Sequence, residues 1–175
     1  MHAGRGMVAL HDSATSTMGG QPGLTELVFV AEDVDELQGT LQSAGYSDLS
    51  IWDEAYGRVL SATGPGGTKV WIDEHHKDSY GYRLTDARPD DRWTVTPTLT
   101  GVDQPSWEQI LDQFGTRQRV YFGSGATYGV RLDLSTTEAL DDVQRRLVAA
   151  GYDVSGTDAG LEIVDPDGQP VVIHG

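Results

Sequence analysis

The segment LQSAGY at 41–46 returns as LVAAGY at 147–152, and this repeat restricts the folds open to the chain more than any other feature. Each copy closes a helical pattern. Val34, Leu37, Leu41 and Ala44 fall on one helical face, and Leu140, Val143, Leu147 and Ala150 repeat that spacing. Gly45 and Gly151 then stand where a left-handed residue stops a helix. Ser135 and Glu138 have the spacing of a capping box ahead of the second helix. The pattern predicts helices over 33–44 and 137–150. Strand-like LTELVFV (24–30) and YGVRLDL (128–134) lead into them. Strand, Pro-Gly turn and strand follow, as GRVLSATGPGGTKVWIDE (57–74) and GLEIVDPDGQPVVIHG (160–175). Both copies read as β-α-β-β-β, and a hairpin after each helix makes the sheet mixed rather than doubly wound. The fold class is α+β.

The rest of the chain is arranged around these copies. Residues 1–21 form a lone N-terminal strand (GRGMVALHDS, 4–13) and loop, which reads as the last strand of a unit whose beginning is absent. The first β-α-β-β-β unit covers 22–75, a polar turn-rich connection 76–91, and the second unit 127–175. Between them, 92–126 reads as a short β-α-β unit. RWTVTPTLTGV alternates like a strand, SWEQILDQFG (106–115) is a helix capped by Ser106 and Gln109 and stopped by Gly115, and RQRVYFG (117–123) is another strand. An unpaired strand at 4–13 invites a partner, so a homodimer is expected.

Composition narrows function by exclusion. A chain of 175 residues can bury about 70% of its unfolded surface and needs no metal or disulfide to fold. It has no cysteine, so thiolate metal sites and cysteine nucleophiles are excluded. Acidic residues outnumber Lys plus Arg by 27 to 12, for a net charge of −15. That balance argues against nucleic acid and anionic membranes as partners and suits a cationic ligand. No apolar run reaches the ~18 residues of a membrane span, and the first residues carry no secretory pattern. The cytoplasm is the expected location.

The repeat units resemble the vicinal oxygen chelate superfamily, which includes glyoxalase I, bleomycin-resistance proteins and extradiol dioxygenases. ELVFVAEDVDELQGTLQSAGY (26–46) is similar to its strand-helix segment, and DPDGQPVVI (165–173) to its closing hairpin, of which GPGGTKVWI (64–72) is a worn copy. The resemblance implies paired units forming cupped mixed sheets. It also implies metal ligands, in the enzymes, on the first and last strands of each unit. Glu26 takes the first-strand place in the first unit, seven residues before Asp33. Four residues after the turn glycines, where a last-strand carboxylate belongs, stand Trp71 and Val172. The first-strand place in the second unit falls on Val130 or Arg131. One ligand of a set is no metal site, so no metal, cofactor or catalytic residue is assigned.

Other residues are weighed on their own chemistry. DEHH (73–76) looks like a ligand run, but neighbouring strand residues point to opposite faces. FGSGATYG (122–129) leads into a strand and not a helix, so it reads as a hairpin rather than a phosphate loop. No G-x-S-x-G elbow is present. His11 follows an apolar strand and could enter a cavity, while His174 sits at the chain end. Trp52, Trp71 and Trp93 are either core residues or the aromatic wall of a ligand site. The expected function is metal-independent binding of a small organic molecule, cationic or aromatic, in the manner of bleomycin-resistance proteins. Glu26, Trp52, Trp71, Trp93 and His11 are the candidate contacts. The alternatives are a metal-dependent lyase or dioxygenase using Glu26, His11 and Glu74, and an interaction module without ligand.

Overall fold

The computed structural model describes residues 3–5, 8, 23, 25–54, 57–74 and 90–175. In chain order the elements are β1 (Ala3–Arg5), β2 (Val28–Ala31), α1 (Val34–Ser43), β3 (Leu49–Glu54), β4 (Gly57–Thr63) and β5 (Lys69–Glu74). They continue with β6 (Asp90–Thr100), α2 (Gln104–Gln113), β7 (Tyr121–Gly123), β8 (Gly129–Thr136), α3 (Leu140–Ala149), β9 (Val154–Thr157), β10 (Gly160–Val164) and β11 (Pro170–His174). The connection expected at 76–91 lies almost wholly outside the described residues. Among the described residues no helix is long and apolar enough to cross a membrane.

Two compact units form. One comprises Glu26–Ala87 and Gly101–Tyr128, the other Met1–Thr25, Arg88–Thr100 and Gly129–Gly175. The α+β class and the repeated β-α-β-β-β topology read from the sequence are both present. In the first repeat the sheet order is β2-β5-β4-β3; in the second the order β8-β11-β10-β9 is the same arrangement. The strand before each helix pairs parallel with the last strand of its unit, and the intervening pairs are antiparallel.

The repeated AGY ends each helix by one mechanism. Gly45 and Gly151 take φ values of 94° and 91°, which an L side chain rarely adopts. The next N–H then reaches back, Tyr46 to the Leu41 carbonyl at 3.0 Å and Tyr152 to the Leu147 carbonyl at 3.1 Å. Both are the long backward bond of a Schellman stop. α2 stops the same way at Gly115, with Thr116 N–H on the Leu111 carbonyl at 3.0 Å.

α1 starts where expected, and the starts of α2 and α3 differ from expectation. α1 is capped by the Asp33 carboxylate, which accepts from the N–H groups of Asp35 and Glu36 at 2.9 Å each. α2 starts earlier than Ser106, because the Asp103 carboxylate caps it and accepts from the Ser106 N–H at 3.3 Å. The capping box at Ser135 and Glu138 does not form, since Ser135 belongs to β8 and α3 starts after Ala139. Glu138 is used otherwise: it accepts from the Trp93 indole N–H at 3.0 Å and from Arg146 at 2.7 Å, with Arg92 at 3.4 Å.

The core of the first unit joins the sheet residues Phe29, Leu60, Ala62, Val70 and Ile72 to Val34 and Leu41 of α1 and to Trp107, Ile110 and Leu111 of α2. Phe29 and Phe114 pack with ring centroids 5.0 Å apart. In the second unit Val143 of α3 packs on Leu161 and Ile173, bordered by Trp93, Leu134, Leu140, Leu147 and Val154. The short β-α-β unit expected at 92–126 does not stand alone. β6 joins the sheet of the second repeat by pairing with β8, while α2 and β7 belong to the unit of the first. Most of the N-terminal strand expected at 4–13 lies outside the described residues; at its start, β1 pairs parallel with β6.

Two predictions follow from these contacts. A Cβ on Gly101 (φ 63°) would lie 2.0 Å from the backbone oxygen of Thr127, whereas one on Gly45 would meet nothing within 4 Å. Gly45→Ala should cost about 1–2 kcal/mol for its backbone angle alone, and Gly101→Ala a further ~1–3 kcal/mol for the overlap, as read by urea unfolding. The second concerns Glu138, whose carboxyl is held below the usual glutamate range by the Arg146 hydrogen bond first, then by the Arg146 and Arg92 charges and the Trp93 N–H, against the opposing effect of burial. A depressed carboxyl stabilises the fold above its unfolded value and loses that contribution as pH falls through its folded value. Glu138→Gln should therefore be less stable than the native chain at pH 7, with the gap closing below about pH 4.

Candidate functional site

Among the described residues of the first unit, α1 and α2 pack on one face of the four-stranded sheet and no helix covers the other. Strand alternation assigns its residues. The register aligns Val28, Trp71, Ser61 and Ser50 in one row across the sheet, and Val30, Asp73, Val59 and Trp52 in the next. The alternate residues Phe29, Ile72, Leu60 and Ile51 point to the helices, the first three fully buried. Trp52 and Trp71 sit two strands apart and meet over β4, with ring centroids 5.9 Å apart in an edge-to-face arrangement (81°). Ser61 of β4, opposite Trp71 and Ser50, is fully buried on this face. Val28, Val30 and Trp52 remain 49%, 57% and 45% exposed. The face is thus apolar and aromatic at its centre. Along β5, Lys69 and Asp73 flank Trp71 on the same side, and the Lys69 ammonium stands 5.7 Å from the Trp71 ring centroid.

The corresponding face of the second unit is polar. Its register aligns Thr96, Asp133, Val172, Glu162 and Ser155. Asp133 is 1% exposed. Arg131 donates to both of its oxygens at 3.1 Å, and the Thr98 hydroxyl donates to one of them. His174 Nε2 lies 3.5 Å from Asp133 Oδ1. Its Nδ1 is 2.7 Å from the Ala159 carbonyl oxygen, which can only accept, so Nδ1 carries a hydrogen. The Nδ1–H bond ties β11 to the turn before β10, and Nε2 faces the Asp133 carboxylate of β8. Although it sits at the chain end, His174 belongs to β11 and is held by the Ala159 carbonyl. The cluster has a sequence signal, because Arg131, Asp133 and Ser135 alternate along one face of β8 and His174 is two residues beyond Val172.

The sequence-derived candidates scatter. Trp52 and Trp71 come together. Trp93 belongs to the other unit, where it is partly buried against the Val143 cluster and its indole N–H is bound to Glu138. Glu26 is not on the first strand; it is exposed and precedes β2. Its charge adds to burial, the larger cause, in pushing up the Tyr128 phenol. Tyr128 stacks on Trp107 at 6.2 Å. His11 lies outside the described residues. Glu74 sits at the end of β5 near Arg58 (3.8 Å) and accepts from the Val34 N–H at 3.4 Å, on the helix side.

The described residues do not fit a divalent ion. Among them no three His, Asp or Glu side chains stand together as ligands. The first- and last-strand places carry Val28 and Trp71 in one unit. In the other, Asp133 and Val172 take them, and the Arg131 guanidinium already occupies the Asp133 carboxylate.

No family profile matches the chain, and no curated protein matches it. Solved structures do. The 2,3-dioxygenase LapB from Pseudomonas sp. KL28 superposes with a TM-score of 0.59 at 11% identity, over 86% of this chain and 71% of that one. The 2,2',3-trihydroxybiphenyl 1,2-dioxygenase from Sphingomonas wittichii strain RW1 gives 0.57 at 12% identity, over 83% and 68%. Homoprotocatechuate 2,3-dioxygenase from Arthrobacter globiformis gives 0.53 at 15% identity, over 83% of this chain and 60% of its own. The likeness is one of fold, and the fold of this chain is that of the vicinal oxygen chelate superfamily, to which the extradiol dioxygenases belong.

Proposed function

We propose that this chain binds a small organic molecule on the exposed sheet face of its first unit, without a metal ion. The Trp52–Trp71 pair carries the reading. Two indoles edge to face, bordered by exposed Val28 and Val30, offer a flat apolar ligand both a stacking surface and a rim. The surrounding charge favours a neutral or cationic molecule over an anion, since the chain as a whole is at −15. The dioxygenase chemistry of the structural neighbours is not carried over, because the places that would present ligands hold Trp71, Val28 and Val172, and Asp133 is ion-paired with Arg131.

The test is a thermal-shift screen of aromatic and basic organic compounds, with metal analysis on the same sample purified without metal-chelate chromatography. A compound that binds only the folded chain should stabilise it by about 2.7 kcal/mol at a hundredfold excess over its dissociation constant. Trp71→Ala and Trp52→Ala should each weaken that shift by tenfold or more in concentration, about 1.4 kcal/mol, and His174→Ala should not. Stoichiometric zinc, nickel, iron or manganese in the purified protein would overturn the metal-free reading and favour a metalloenzyme.

A further inference from the structure

The Trp71 ring already carries a cation. Lys69 and Trp71 are two residues apart on β5 and share the uncovered face, with the ammonium 5.7 Å from the ring centroid. That separation is within the range of a cation–π contact. The contact is made by a long, flexible and exposed side chain, which gives up rotamer freedom to stay there. The same ring face is therefore attractive to positive charge and only loosely held by Lys69.

Resting on the proposed ligand face, we propose that its ligand is an organic cation of the quaternary or tertiary ammonium class, and that Lys69 is a tethered competitor the ligand must displace from Trp71. The charge of the ligand takes the place of the lysine ammonium over Trp71, while its apolar body lies toward Trp52, Val59 and Val30, which the register sets beside it. Lys69 then determines specificity. A neutral compound leaves the lysine in place, and a weak cation fails to move it. No bond is made or broken; the exchange is of one cation for another on the same π surface.

The experiment is a tryptophan-fluorescence titration at constant ionic strength with two probes, benzyltrimethylammonium and neutral benzyl alcohol. It is run on the native chain, on Lys69→Met, and on Arg119→Met, which removes the same charge from the exposed turn at 117–119. Freeing the ring should tighten benzyltrimethylammonium about two- to fivefold in Lys69→Met, the range expected for an exposed cation–π contact. Benzyl alcohol should change less, and Arg119→Met should not reproduce the gain. Equal gains in Lys69→Met and Arg119→Met would reduce the effect to overall charge and overturn the proposal. So would benzyl alcohol binding with Trp71 dependence while benzyltrimethylammonium gains nothing from Lys69→Met; in that case the ligand face itself still stands. If neither probe binds in a Trp71-dependent way, the ligand face and the lysine role fall together. Sedimentation showing that the tryptophan signal tracks self-association instead would make a second copy of the chain the occupant, and would also overturn the proposal.

Discussion

The parallel pairing of the strand before each helix with the last strand of its unit sets almost everything else. Val28 beside Trp71, and Asp133 beside Val172, are the register of that pairing. A parallel neighbour requires a crossover, and α1 and α3 supply it, which commits one sheet face to helix packing. The other face is then decided residue by residue through strand alternation. The left-handed glycines that end the helices are what allow the crossover to return: Gly45 and Gly151 turn the chain immediately, so each hairpin comes back within its own unit. A slip of one residue in either parallel pair would exchange the buried row for the uncovered one.

The two repeats share this frame and differ in what they place on it. At matching positions, one unit has Val28, Trp71 and Ser61 where the other has Asp133, Val172 and Glu162. One face is aromatic and open. The other is built around a buried carboxylate satisfied by Arg131 and Thr98, with His174 beside it. A buried carboxylate is costly without partners, so Arg131 and Thr98 are best read as the conditions under which Asp133 can occupy its place. The geometric repeat therefore does not imply two copies of one site.

Those features whose cause is local were legible in the sequence. The AGY helix ends, the apolar spacing at Val34, Leu37 and Leu41, and the hairpin turns all depend on a few neighbouring residues, and they gave the fold class and the superfamily resemblance. Trp71 was singled out by the family resemblance, as the residue four places after Gly67 where a last-strand carboxylate belongs. What failed depends on distant partners. Trp93 looked like any strand tryptophan until Glu138, far along the chain, proved to bind its indole. Asp133 stands one alternation beyond Arg131, where the resemblance puts the first-strand place of the second unit. His174 looked terminal because position in the chain says nothing about Ala159 and Asp133 arriving beside it. The division of 92–126 between two units could not be read from its own residues, since each piece on its face is an ordinary strand or helix.

That division has a consequence for how the chain could be taken apart. The boundary between the units is crossed after Thr25, Ala87, Thr100 and Tyr128, so each unit is assembled from pieces that alternate along the sequence. A fragment ending after β5 would keep the first repeat yet lack Trp107, Ile110 and Leu111, and would leave Phe29 without Phe114. A fragment starting at β8 would keep the second repeat yet lose Trp93 from its core and, with β6, the strand that covers one edge of β8. Neither repeat is a cassette that can be excised and shuffled. Each unit draws on segments from both sides of the other's sequence, so the duplication visible in the sequence does not mark two separable pieces of chain.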